Sequence, residues 1–360
     1  MANFKKGAYG MVQDADLLQT GMTVSRPNDP LEGLFDDQQT ANLVATWYSI
    51  ASEYQIPQMA QFHAFDVEAQ KSERVPIDEH NVEKGLIKVK RNTSELLRQL
   101  IGRGVNVEET LYEFVMDDNA GLADQVITRA KVARAELMAT GKVTIKENGI
   151  NETVDYGVPA NQTNRTIDVG AGAATDIMSQ FQTIIDDAAD KGVTITGMVC
   201  PRSFITRLRK NPTLQIAING SAASGVLLRN GALTAFLGEE FGITQIIADD
   251  LHYALPYTGK DSKNRPTVTS KRYYPSDKVT FFGTANGMRL GTGLWGLPPE
   301  IEIANFAEVG TSSASSYVYM TQWAEKDPAV VWTKASALYM PVLYNPNSLF
   351  IASITETAAA

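Results

Sequence analysis

The run IDVGAGAATDIM contains residue types that could bind the phosphates of a dinucleotide. Gly170 and Gly172 lie between a strand-like run and the start of a helix, which is the context that a dinucleotide-binding turn requires. The third glycine position holds Thr175, and the next strand-like run, VTITGMVC, does not end in the acidic residue that would bind a ribose hydroxyl. We therefore favour a flexible connection into a capped helix, with a nucleotide-dependent α/β enzyme as the alternative.

Histidines are the next candidates, because imidazole is a common metal ligand. The chain has three, His63, His80 and His252, and only His252 has further ligand types at metal-binding spacing, Asp249 and Asp250. A turn that follows a strand explains Asp249, Asp250 and His252 better than a metal site does. The sequence therefore predicts no metal site.

The single cysteine, Cys200, lies in the apolar run VTITGMVC and is predicted to be a buried structural thiol. Arg202 and Arg207 follow it at a spacing that does not match a phosphatase loop. The chain contains neither a Gly-x-Ser-x-Gly motif nor a phosphate-binding lysine loop. The prediction is a protein that is not an enzyme and that needs no cofactor.

Composition describes a globular chain with an acidic surface. Of the 360 residues, 44% are hydrophobic and 20% are charged, which allows a large core and about two domains. The net charge of −9 argues against a general nucleic-acid-binding surface, because such a surface needs clustered Lys and Arg. No apolar run has the length of a signal peptide or a membrane span, so we expect no membrane partner and a protein made and kept in the cytoplasm.

The first hundred residues predict an arm followed by a long hairpin. Glycines and prolines without periodicity indicate an extended arm over residues 1–35. Residues 40–65 indicate a short helix and then a strand near Pro57. The very polar stretch KSERVPIDEHNVEKG follows, and then the strand-like GLIKVKR. Flanking strands with a charged tip are typical of a long hairpin, and a solvated disordered loop is the alternative for the polar stretch.

The strongest element is a long amphipathic helix. Asn106 can cap it, Glu109 occupies the capping-box position, and Gly141 ends it. Its apolar residues recur at three- and four-residue spacing, and its charged residues Arg129, Lys131, Arg134 and Glu136 fall largely on other faces. A hairpin around Asn148-Gly149 follows, because this dipeptide favours a type I′ turn.

Helix and strand alternate after Thr166 and predict a compact α/β unit. Thr175 or Asp176 caps a helix, VTITGMVC is a buried strand, PRSFITRLRKN is a short helix stopped at Asn211-Pro212, and GITQIIADD is a further strand. Strand-rich runs follow, namely TVTSKRYY, DKVTFFG, PEIEIANF and VVWTKASALYMPVLYNPNSLFIASI.

This order of elements resembles the major capsid proteins of tailed bacteriophages, and in particular the lambda-type major capsid (head) protein family. The matching parts are DPLEGLF, the charged hairpin ahead of Ser94–Leu100, the helix through AKVARAELMATGKVTI and the ending ASALYMPVLYNPNSLFIASI. The most specific part is the ending, with Pro341, Tyr344, Pro346 and Phe350. The resemblance covers essentially the whole chain.

The resemblance implies an α+β fold, the tailed-phage (Hong Kong 97-type) major capsid fold. Its predicted parts are an N-terminal arm (1–35), a first part of the peripheral domain (36–61), an extended loop (62–93), the peripheral domain with the spine helix and β-hairpin (94–165), the axial domain (166–275), peripheral-domain strands (276–339) and an axial-domain strand with the C-terminus (340–360).

The function implied by the resemblance is self-assembly into an icosahedral head shell around a double-stranded DNA phage genome. The implied partners are further copies in pentamers and hexamers, a separate scaffolding protein and a portal protein, with room for a decoration protein. DNA would be enclosed without sequence-specific binding. The implied location is the virion, after assembly in the host bacterial cytoplasm. An encapsulin-like compartment shell is the alternative with the same fold.

The resemblance also gives the polar stretch a role, because the extended loop of this fold leaves its subunit and lies over a neighbour. The predicted intersubunit residues are Lys71, Glu73, Arg74, Asp78, Glu79, Glu83 and Lys84.

Overall fold

The structure is a computed structural model. It describes residues 29–50, 59–63, 65, 68, 71, 74, 77–93, 107–170, 176–220, 225–257, 259–260, 262–263, 265, 267–284, 289–300, 312–315, 317–327 and 329–357, with backbone only at 50, 107–117, 312–315 and 329.

The described residues form seventeen strands and six α-helices. The strands are β1 (Phe35–Thr40), β2 (Val44–Ile50), β3 (Ile77–Glu83), β4 (Gly85–Thr93), β5 (Lys142–Glu147), β6 (Ile150–Asp155), β7 (Arg165–Asp168), β8 (Thr194–Cys200), β9 (Gln245–Ala248), β10 (His252–Ala254), β11 (Ser270–Arg272), β12 (Lys278–Thr284), β13 (Gly291–Gly296), β14 (Ser312–Ser315), β15 (Val318–Lys326), β16 (Ala329–Leu343) and β17 (Leu349–Thr355). The helices are α1 (Val107–Thr140), α2 (Ala160–Thr163), α3 (Ile177–Ala189), α4 (Arg202–Lys210), α5 (Pro212–Asn219) and α6 (Asn230–Phe241), with 3-10 turns at Glu32–Leu34 and Pro346–Ser348.

The first sheet is built around the long strand β16, which pairs antiparallel with β13, β15 and β4. β1 extends it through a parallel pairing with β13, and β14 extends it through β15. Helix α1 packs on this sheet, and the predicted apolar stripe that includes Leu122, Val126 and Leu137 is buried there. The stripe is therefore confirmed. For Lys131 and Arg134 the prediction is wrong, because both residues are buried although the pattern assigned them to other faces of the helix.

Turn residues end α1 and form the following hairpin as predicted. Gly141 adopts a φ of 70°, and its N–H donates to the carbonyl of Leu137 at 2.8 Å. Asn148 and Gly149 have φ values of 50° and 87° between β5 and β6, as a type I′ turn requires. The predicted cap at Asn106 lies outside the described residues.

The second sheet has the strand order β7-β17-β12-β8-β9. Asp176 caps α3 by accepting from the N–H of Met178, and β8 is largely buried with Cys200 at its end, as predicted. The short helix α4 also ends as predicted, but Pro212 begins a new helix rather than a loop. Its cap is Asn211, whose side-chain oxygen accepts from the N–H groups of Thr213 and Leu214.

The short helix predicted in the first part of residues 40–65 is wrong, because residues 44–50 form β2. Ala45, Trp47 and Ser49 are buried while Thr46 and Tyr48 between them are exposed, which is the alternation of a half-buried strand. The predicted long hairpin exists, but β3 within the polar stretch is its second strand. The run GLIKVKR belongs instead to β4 in the first sheet.

Strand pairing divides the chain differently from the predicted segments. β12 falls within 276–339 yet lies in the second sheet between β17 and β8. β16 continues past the predicted boundary at residue 340 to Leu343, within the first sheet. The boundary at residue 35 also changes, because Leu31 and Phe35 are buried in the core. Most of the predicted strand PEIEIANF lies outside the described residues.

Candidate assembly surface

β2 and β3 form a two-stranded sheet that we call the loop hairpin, residues 44–83. All seven residue pairs, from Val44 opposite Glu83 to Ile50 opposite Ile77, follow an antiparallel register. We call residues 59–74, between the strands, the loop tip. The two strands of the loop hairpin therefore pair with each other and do not join either of the two larger sheets.

One face of the loop hairpin rests on the body through Trp47. Its ring stacks on His80 of the opposite strand, with centroids 5.3 Å apart, and lies 5.7 Å from the ring of Tyr156. The hydroxyl of Ser49 is 2.7 Å from Nε2 of His80. Because β2 alternates, the same contacts leave Tyr48 on the opposite, exposed face.

The loop tip exposes large apolar side chains. Met59 is 88% exposed, and Phe62 and Phe65 are fully exposed. Burying such a side chain is worth about 1.5–3 kcal/mol, so a soluble subunit gains nothing from their present positions. Three large apolar side chains exposed within seven positions of the chain favour a surface that binds another protein.

The predicted charged residues of this segment lie largely on the surface. Lys71 and Arg74 of the loop tip are exposed, and so are Asp78, Glu79 and Glu83 of β3. Glu73 lies outside the described residues.

Lys84 is a correction, because its side chain is only 3% exposed. Its ammonium donates to the carbonyl oxygen of Asn42 at 2.6 Å and to the hydroxyl of Thr40. Longer contacts of 3.4 Å reach the carbonyl oxygens of Thr40 and Trp295. Lys84 therefore binds its own chain and is not part of the exposed loop.

A second buried cation, Arg134, joins the first described residues to helix α1. Its guanidinium donates to Asp29 at 2.9 Å, to Asp37 and to the hydroxyl of Tyr339 at 2.7 Å. Burial alone would lower the pKa of Arg134, but Tyr339 and the two carboxylates raise it overall. No sequence pattern indicated this cluster, since Asp29 is 105 residues from Arg134.

The glycine candidates have a packing role where they are described. A Cβ atom at Gly170 would overlap the backbone of Thr357, so glycine lets the chain after β17 lie close to the end of β7. The carboxylate of Asp168 accepts from the hydroxyl of Thr357 and from the N–H groups of Thr357 and Gly170, and these hydrogen bonds lower the pKa of Asp168. Gly172 and Thr175 lie outside the described residues.

The histidine and acidic candidates do not form a metal site in the described part of the chain. No group of three or more His, Cys, Asp or Glu side chains there could hold a metal ion. Asp250 is paired with Arg272 at 2.6 Å, while Asp249 is buried and accepts from the N–H of Leu251. Among the described helices, none is both long and apolar enough to cross a membrane.

Two solved structures of phage origin have a fold similar to that of this chain. A putative capsid protein of a prophage of E. coli CFT073 is 12% identical, with 96% of this chain and 99% of that chain covered and a TM-score of 0.55. A phage-related protein of Bordetella bronchiseptica RB50 is 9% identical, with 95% and 96% covered and a TM-score of 0.51. The fold is that of the tailed-phage (Hong Kong 97-type) capsid subunits.

The chain belongs to the family described as phage major capsid protein E, whose model matches residues 17–354. Its function is that of a phage major capsid protein, the subunit of the icosahedral head shell. The resemblance drawn from the sequence is confirmed, and the encapsulin-like alternative is not favoured. No curated protein matches the chain.

Proposed function

We propose that the loop hairpin and the loop tip form contacts between neighbouring subunits in the pentamers and hexamers of the head shell. The observation that carries this proposal is the exposure of Met59, Phe62 and Phe65 in a single subunit. A shell brings many copies together, so a neighbouring subunit can bury the side chains that are exposed in the single subunit.

Charged residues around the apolar contact would set its register. Lys71 and Arg74 supply positive charge at the loop tip, and Asp78, Glu79 and Glu83 supply negative charge along β3. Glu73 belongs to the same proposal. Charges at the rim of an interface affect the choice of partner and the rate of association more than the affinity.

The proposed partners follow from the family. We propose that the shell assembles in the host bacterial cytoplasm with a separate scaffolding protein, incorporates a portal protein and leaves room for a decoration protein. The net charge of −9 supports a wall that encloses double-stranded DNA without binding its sequence. We propose that the protein is located in the virion. It would act there by binding other subunits, without catalysis and without a cofactor.

Replacing the two loop-tip phenylalanines tests the proposal. Phe62→Ser and Phe65→Ser together should change the free energy of unfolding of the isolated subunit by less than about 0.5 kcal/mol. Each intersubunit contact would lose the burial of two aromatic rings, which should lower its association constant at least ~10-fold. Sedimentation and negative-stain images of the protein co-expressed with its scaffolding protein measure the yield of shells.

The matched control is Ile150→Ser, which removes a half-exposed apolar side chain from β6, outside the loop hairpin. We expect the control to assemble as the parent does. Equal shell yields from the double variant and the parent would show that the loop tip is not an intersubunit contact.

A further inference from the structure

The loop hairpin joins the body through two short connections. The first lies between the end of β1 at Thr40 and the start of β2 at Val44, and the second is the single residue between β3 and β4. That residue is Lys84. Its backbone N–H donates to the carbonyl of Leu43 at 3.1 Å, so a hydrogen bond already links the two connections.

The side chain of Lys84 also forms hydrogen bonds at the base of the loop hairpin. Its ammonium contacts Thr40 and Asn42 on the first connection and the carbonyl oxygen of Trp295 in β13. One cation therefore joins both connections of the loop hairpin to the first sheet. All of these acceptors are neutral oxygens, so the contact is a set of directed hydrogen bonds rather than an ion pair.

Rotation of the loop hairpin about its base would break these hydrogen bonds. A carbonyl or ammonium that is buried without a hydrogen-bond partner is destabilising, and most strongly so for the charged group. The contact of Trp47 with Tyr156 supports the hairpin further along β2. The loop hairpin is thus held to the body at two separate points, at Lys84 and at Trp47.

We infer that Lys84 is a positioning residue that fixes the direction in which the loop hairpin leaves the subunit, and with it the place that the loop tip reaches on a neighbouring copy. The second half of this inference rests on the proposed intersubunit role of the loop. A strand of seven residues spans about 23 Å, so a rotation of about 10° at the base moves the far end by about 4 Å. Such a displacement is several times the surface-to-surface gap of less than about 1 Å that two side chains in contact allow.

Distance measurements between two spin labels test the inference in the isolated, full-length subunit. Exposed Lys71 at the loop tip and exposed Lys146 on β5 are each replaced by cysteine and labelled. The native Cys200 will not compete, because it is buried and burial raises the pKa of its thiol to about 12. The width of the distance distribution then reports how firmly the direction of the hairpin is held.

Lys84→Met keeps the length of the side chain and removes the ammonium, and it should at least double the width of the distribution. Lys88→Met makes the same change at an exposed position on β4, and its distance distribution should be as wide as that of the parent. Thr40→Val removes only the hydroxyl acceptor and should give an intermediate width. Lys84→Met should also yield shells of irregular size.

A folded Lys84→Met subunit with the parental width would overturn the inference. If that variant does not fold, Thr40→Val decides, and an unchanged width in Thr40→Val would overturn the inference equally. Because the labels are read in free subunits, this result does not depend on whether the loop tip binds a neighbour. A broadened distribution together with normal shells would support the positioning role of Lys84 and contradict the proposed contact between the loop tip and a neighbouring subunit.

Discussion

The second sheet and the loop hairpin bury apolar side chains in different ways. In the second sheet, five strands and the helices α3–α6 enclose Phe181, Phe204 and Phe281 within one chain. The loop hairpin has only two strands, an arrangement that is marginal by itself in water. Its Trp47 rests on Tyr156, and the apolar residues of the loop tip remain in solvent.

This difference separates subunit stability from assembly. Substitutions in the second sheet should unfold the subunit, whereas substitutions in the loop tip should act only when several copies meet. The following predictions use this separation, from the largest expected change in the free energy of unfolding to the smallest.

The largest effect is expected for Phe281→Ala in the second sheet. The ring of Phe281 is fully buried and meets Phe181 edge-on, with centroids 5.3 Å apart. Its loss should lower the free energy of unfolding by about 3–5 kcal/mol in urea titrations. Phe65→Ala at the loop tip is the counterpart and should change it by less than about 0.5 kcal/mol. Similar losses in both variants would contradict the separation.

Arg134→Ala should have a comparable effect, because it leaves the carboxylates of Asp29 and Asp37 buried without their cation. Breaking such a buried pair costs about 3–5 kcal/mol. Two deletions refine the prediction. Removing residues 2–28 spares Asp29 and should leave the midpoint of thermal unfolding almost unchanged, whereas removing residues 2–29 should lower it clearly. Identical midpoints for the two deletions would mean that the Asp29 contact contributes nothing.

Charge reversal on β3 should affect assembly more than folding. Asp78, Glu79 and Glu83 are exposed, and each exposed charge contributes about 0–1 kcal/mol to stability. Their joint replacement by lysine should leave a folded subunit whose shell yield falls and varies strongly with salt.

The control for charge reversal is the neutral triple variant with Asn at residue 78 and Gln at residues 79 and 83. It removes the charges without opposing them, so its shell yield should lie between those of the parent and the reversed variant. Shell yields that are the same for all three proteins at every salt concentration would exclude β3 from the interface.

The smallest effect is the pH dependence that Lys84 adds. Burial lowers the pKa of Lys84 in the folded subunit below the ordinary value of 10.5. Between the lowered pKa and 10.5 the unfolded chain binds more protons, so the contribution of Lys84 to the free energy of unfolding rises with pH. The difference in this free energy between the parent and Lys84→Met should therefore increase from neutral to alkaline pH, by at most about 1.4 kcal/mol per pH unit. A decrease would indicate a raised pKa.

Elements determined by nearby residues could be predicted from the sequence. The apolar spacing of α1, the glycine at its end and the Asn148-Gly149 turn each act over a few residues, and the structure confirms them. β2 could not be predicted in the same way. Its apolar and small residues suit a helix or a strand, and pairing with β3, which starts 27 residues after β2 ends, makes it a strand.

The candidate site shows the same limit. The polar sequence from 71 to 85 indicated an exposed segment. This is correct for Asp78, Glu79 and Glu83, whereas His80 and Val82 between them are half-buried. Nothing in that run distinguished Lys84 from Lys71. Lys84 is buried because Thr40, Asn42 and Trp295 surround it, and the last of these is 211 residues away.

The position of β17 between β7 and β12 also affects when a newly made subunit can finish folding. Ile167 and Thr355 make contact across a separation of 188 residues, and pairing of such distant strands is slow because a long loop must close first. The second sheet cannot be completed until residues 349–355 have been translated. We therefore expect a subunit to enter a shell only after residues 349–355 have been made, because its second sheet is incomplete before then.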